Sequence, residues 1–158
     1  MPVSPIHEYV SARCPFDRVP AYLATHLARS GGSVESAVLP MRLQLGDIVI
    51  EHAISISLVR REGYPGYSFA SIAWEAEGGG PFPSFSGSLS AADEGAGFCR
   101  LDIDGTYAPP LGPAGALFDA VLGKRIAQAS VGDLLLRFKQ ICEAAFAAEH
   151  GAEVTQPL

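Results

Sequence analysis

Between Val34 and Tyr107, apolar and polar residues alternate with period two in five segments, at about 34–45, 48–61, 66–77, 83–92 and 97–108. Turn residues separate them: Gly46-Asp47, then runs from Gly63 to Gly66, Gly78 to Pro81 and Asp93 to Gly95. Connections this short join antiparallel neighbours, so the pattern predicts a meander. A further strand over residues 6–14 brings the sheet to six strands, or seven if Pro40 breaks the 34–45 segment. Parity assigns the faces. Ile48 to Leu58, counted in twos, lie opposite Glu51, Ser55 and Ser57, while Ile72, Trp74 and Ala76 oppose Ser71, Glu75 and Glu77. Phe85, Gly87 and Leu89 oppose a run of serines, and Leu101, Ile103 and Tyr107 oppose Arg100, Asp102 and Asp104. One face of the predicted sheet is apolar throughout.

On either side of the alternating region the period becomes 3.6. Pro15 ends the first strand, Asp17 is placed to cap a helix with Pro20 in its first turn, and Gly31-Gly32 stops it. From Ala127 the apolar positions Val131, Leu134, Leu135, Phe138, Ile141, Cys142 and Ala145 form one stripe about 120° wide, which needs a sheet to lie against. The predicted helix runs from about Ala127 to Ala145, and the tail after Phe146 is expected to fray. Leu117, Phe118, Val121 and Leu122 fall out of phase with that stripe, so a kink at Gly123 or a separate segment is expected.

Composition narrows the class. A chain of 158 residues, 48% hydrophobic and 18% charged, suits one domain with a sizeable core. A net charge of −6 and a pI near 5.1 argue against a general binder of nucleic acid or anionic membrane. Arg60-Arg61, the one basic pair at a strand end, reads as solvated. Cys14, Cys99 and Cys142 are scattered and odd in number, with no two expected to be neighbours, which predicts three reduced thiols. The start MPVSPIHEYV lacks the features of a signal peptide, and no run is apolar enough to span a membrane. The expected location is the cytoplasm, without membrane insertion.

The order of strand, short helix, antiparallel meander and long C-terminal helix resembles the START-like (SRPBCC) helix-grip superfamily, which includes birch-pollen-allergen-like proteins and bacterial polyketide cyclase/dehydrase-like proteins. Three stretches carry the likeness: Ala12-Arg13-Cys14-Pro15 with Val19, Pro83-Ser84-Phe85-Ser86-Gly87, and Gly105-Thr106-Tyr107-Ala108-Pro109-Pro110-Leu111-Gly112. Pro109 and Pro110 force the last strand to end, because proline cannot extend a ladder or enter a helix interior. The resemblance implies one α+β domain over residues 1–158, ordered from about 6 to 146. Its curved sheet would wrap the long helix and enclose a cavity for an apolar molecule. On the parity assignment, His52, Ile54, Ile56, Ile72, Trp74, Phe85 and Leu89 would line this cavity. Leu101, Ile103 and Tyr107 would complete the sheet side, with Val131, Leu135 and Phe138 on the helix.

Chemistry is harder to find. His52 is the one titratable side chain that parity places on the apolar face of a central strand, where it would anchor a ligand, serve as a general base, or simply bond to a neighbour such as Tyr107. His26 is read as packing and His7 as exposed. The pairs His7-Glu8 and Glu51-His52 cannot share a metal, since adjacent strand residues point to opposite faces, and Glu149-His150 lies in the tail. Asp102 and Asp104 share the polar face and read as solvated. Nucleophile-elbow, phosphate-loop and dinucleotide motifs are absent, so neither metal nor cofactor is expected. Three functions remain: carriage of a lipid-, sterol- or polyketide-like molecule, cyclase or dehydratase chemistry using His52 and Tyr107, and an interaction module. The module would use the out-of-phase patch as its surface, with a second copy in a homodimer as one partner.

Overall fold

The computed structural model describes residues 4–29, 36–45, 47–77, 83–108 and 120–154. Six strands, β1 (Ser4–Ala12), β2 (Ser36–Leu45), β3 (Ile48–Tyr64), β4 (Tyr67–Ala76), β5 (Ser84–Gly95) and β6 (Phe98–Ala108), form one antiparallel sheet in the order β1-β6-β5-β4-β3-β2. β2 stays intact through Pro40, which pairs with Ala53. It can, because β2 is an edge strand and a missing N–H there breaks no interior ladder. The expected meander is therefore present, with six strands.

Between β1 and β2 the chain makes a 3-10 turn (Phe16–Arg18) and helix α1 (Val19–Arg29). Asp17 lies inside that turn instead of capping a helix; the cap position is Pro15, and no side chain caps it. The Ser68 hydroxyl donates to the Phe16 carbonyl at 2.8 Å and so ties the turn to β4.

Helix α2 spans Ala120–Val154, considerably longer than the stripe predicted, and runs unbroken through Gly123. Val131, Leu134, Leu135, Phe138 and Cys142 on it are 0–2% exposed. Ser130, not anticipated, is fully buried as well, and donates to the Ile126 carbonyl at 2.7 Å. The tail is helical because the 3-10 turn and α1 hold it: the Tyr22 hydroxyl and the Arg18 guanidinium each donate to Glu149 at 2.8 Å, while His150 packs edge-on against Phe146. The out-of-phase patch lies outside the described side chains.

α2 crosses the inner face of the sheet and packs on β1, β2 and β6, while α1 packs on α2. Curvature comes in part from one cross-strand pair. Gly87 faces Gly105, and a Cβ on Gly105 would lie 2.3 Å from the Ser86 carbonyl oxygen and 2.6 Å from the Gly87 Cα. Only two glycines let β5 and β6 converge this tightly on the inner side.

Candidate functional site

The inner face carries an aromatic row. Register places Ile56 beside Trp74, Trp74 beside Phe85 and Phe85 beside Tyr107. Residues of one parity on adjacent strands must share a face, and aromatic cross-strand pairs are among the more stabilising ones. The Trp74 and Phe85 rings stack at 4.2 Å and 15°, and Phe85 also leans over Gly105. Trp74 is 4% exposed, yet its indole N–H is buried with no hydrogen-bond partner among the described residues. The row lies where β4 and β6 end and β5 begins. Ile54, Ile72, Leu89, Leu101 and Ile103, predicted to line the interior, are buried in the same core as the row and α2.

His52 is only half-buried. Its Nε2 sits 3.3 Å from the Glu77 carbonyl oxygen, so it belongs to the rim of the sheet, and its neighbour there is Glu77 instead of Tyr107. His26 is exposed where packing was expected, and His7 is exposed as read. Sequence reading passed over Glu8, which has inner parity between Ile6 and Val10 and lies opposite Ile103. Counting parity through the whole of β1 would have found it.

A recess of about 340 Å³ opens between α1, β2 and α2. Leu23, Leu27, Leu39, Leu134 and Phe138 supply its apolar surface, with Arg137 and Gln140 among its polar contributors. Of the predicted cavity residues it includes Phe138. Arg137 pairs with Asp133 at 3.7 Å; burial pushes the Asp133 carboxyl above its usual range, and Arg137 only partly offsets this.

The opposite end of the core holds the cysteines. Contrary to expectation they converge: the Cys14 and Cys99 sulfurs are 3.7 Å apart, and Cys142 lies near enough to interact with Cys14. Cys14 follows β1 and Cys99, the second residue of β6, lies opposite Ala12, so the β1–β6 pairing brings together residues 85 positions apart. All three are free thiols and fully buried. The contact with Cys142 pushes the Cys14 thiol up to about 12, and the Cys14 contact followed by burial raises Cys99 further still. Thiols this hard to ionise are inert packing groups.

Solved structures with this architecture settle the fold. The chain superposes on Zhui aromatase/cyclase from Streptomyces sp. R1128 with a TM-score of 0.51 at 12% identity, covering 96% of each chain. A START superfamily protein from Mycobacterium smegmatis gives 0.51 at 10% identity, over 91% of this chain and 97% of that one. The fold is the START-like helix-grip. A conserved protein from Geobacillus kaustophilus shares the helix-grip as well, with a TM-score of 0.53 at 11% identity over 92% of this chain and 96% of that one. No family model and no curated protein matches the sequence. No described helix is long and apolar enough to cross a membrane, and no group of metal-ligating side chains occurs among the described residues.

Proposed function

We propose that this helix-grip protein binds an apolar small molecule carrying a hydrogen-bond acceptor, held between the sheet and α2 beside Trp74. The observation that carries this reading is the buried indole N–H with no partner among the described residues. Such a donor costs on the order of 1–3 kcal/mol when left unpaired, and an acceptor on a bound molecule removes that cost. Phe85 and Tyr107 supply flat apolar surface on one side of Trp74, and Ile56 supplies aliphatic surface on the other. A lipid-, sterol- or polyketide-like molecule with a carbonyl or hydroxyl oxygen meets these requirements.

Carriage is favoured over cyclase or dehydratase chemistry by the position of His52. A general base needs a free path to its substrate, and this imidazole lies against the Glu77 carbonyl at the rim. Three unlinked thiols support a reducing compartment such as the cytoplasm.

The test uses Trp74 as its own reporter, since the chain has one tryptophan. Native mass spectrometry of the purified protein should show a co-purified apolar molecule, and adding it back to stripped protein should shift the tryptophan emission. Trp74→Phe should keep the stack on Phe85 and weaken binding by roughly 1 kcal/mol or more. Equal affinity in the two proteins would remove Trp74 as the anchor, and failure of every apolar probe to bind would end the carrier reading.

A further inference from the structure

The recess between α1, β2 and α2 is charged in the opposite sense to the chain as a whole. The chain carries a net charge of −6, yet the described side chains that line the recess include no carboxylate, and Arg137 is the only one of them with a permanent charge. Its apolar surface comes from Leu23, Leu27 and Phe138, which are 1–2% exposed, and from the less buried Pro40 and Ile141. Gln140 stands three residues after Arg137 on α2, so the guanidinium and the amide leave the helix on the same side. At about 340 Å³ the recess is near the small end of the range of ligand pockets, about 300–1,000 Å³. It suits a short chain better than a fused ring system.

The counter-charge of Arg137 is poorly matched to it. Asp133, one turn earlier on α2, does not line the recess, and its Oδ2 lies 3.7 Å from the Arg137 Nε, too far for a hydrogen bond. That oxygen is buried and has no hydrogen-bond partner among the described residues. Burial also moves the Asp133 carboxyl toward its neutral form, against the pull of Arg137. The guanidinium fork is therefore not taken up by Asp133, and a fork of this geometry matches the two oxygens of a carboxylate. A neutral head group would leave the charge of Arg137 unanswered. An ammonium group would be repelled by it. A phosphate ester brings a second negative charge, which one arginine beside Asp133 does not balance.

We propose that this recess binds a short-chain apolar carboxylate, its alkyl part against Leu23, Leu27 and Phe138 and its head on the Arg137 guanidinium with the Gln140 amide beside it. None of Ile56, Trp74, Phe85 and Tyr107 lines the recess, so this is a site other than the aromatic row. The test is a calorimetric titration of the full chain with octanoate, octanol, octylammonium and octyl phosphate, which share a tail and differ in the head. Octanoate should bind about tenfold tighter than octanol, as a hydrogen bond to a charged group allows, and should shift the backbone amides of Leu39, Arg137 and Gln140 in NMR spectra. Octylammonium should bind more weakly than octanol. Arg137→Gln should remove the preference for octanoate over octanol. Asp133→Asn should tighten octanoate, a gain that a purely structural role for the pair does not produce. Both side chains are 34% exposed, so the variants should fold, and unchanged tryptophan emission checks this. The proposal is overturned if octanoate binds no tighter than octanol, if the preference survives Arg137→Gln, or if octyl phosphate binds tighter than octanoate. Loss of the preference in Trp74→Phe would overturn it too, by moving the head group to the indole while leaving the carrier reading in place.

Discussion

The two ends of the core are built differently. At the end where β1 turns into the 3-10 segment, three thiols pack at full burial. Around them the Arg13 amide donates to Glu143, Ser68 holds the turn, and Glu149 latches α2 to α1, so polar atoms there are paired. At the other end Trp74, Phe85 and Tyr107 are buried as well, but a strong donor among them is left without an acceptor among the described residues. The contrast teaches where stability and binding reside. A helix-grip core can be closed by small polarisable groups at one end and leave an unsatisfied donor at the other. Such a donor lowers the stability of the free protein and is tolerated where something else pairs with it.

The sharpest way to break this comparison is at the glycine pair next to the aromatic row. Gly105→Val would drive a side chain into the Ser86 carbonyl and the Phe85 ring, and should cost more than about 3 kcal/mol in chemical denaturation, within the range of severe overpacking. A wild-type midpoint would mean that the sheet is less tightly curled here. At the closed end, Cys99→Leu adds volume where none is free and should cost roughly 1–3 kcal/mol. Trp74→Phe should change the stability of the ligand-free protein by less than about 1.5 kcal/mol, because lost ring volume and removal of an unpaired donor oppose each other. If Trp74→Phe costs more than Cys99→Leu, the distinction between the ends fails.

Reagent access offers a second comparison. In native protein none of the three thiols should react with a thiol-specific dye over minutes, whereas all three should be counted in denaturant without reductant. A rapid native reaction would show that the closed end opens readily.

The smallest effect concerns the latch and depends on pH. The Tyr22 hydroxyl and then Arg18 hold the Glu149 carboxyl below its ordinary value of 4.5. A depressed folded value means that the unfolded chain takes up the proton first, so this contribution is complete above pH 4.5 and disappears as pH falls through the lower folded value. Glu149→Gln should therefore lower the melting temperature slightly at neutral pH and leave it unchanged in strong acid. A difference that persisted in acid would assign the effect to packing.

Much of this architecture is legible in the residues themselves. Period-two alternation in five segments, Pro15, the turn glycines and the Val131-to-Cys142 stripe specify the strands, their inner faces and the long helix, because side-chain direction follows from local geometry alone. Parity also places Trp74, Phe85 and Tyr107 on one face. The helix end was not legible. Residues 147–154 have no apolar stripe, and their helix depends on Glu149 meeting Tyr22 and Arg18 from 127 and 131 positions away. The cysteines show the same limit: nothing local brings Cys14 to Cys99, and only the β1–β6 register does. His52 has the parity of a cavity residue, yet it sits at the rim because its strand position, relative to where β4 ends, decides what covers it. Sequence by itself determined which way each side chain points from its own strand or helix, since that is a matter of backbone periodicity. Which of those side chains meet, and which polar atoms are left without a partner among the described residues, only the tertiary structure decided, because strand order and register bring distant residues together and no local pattern encodes the distance between them.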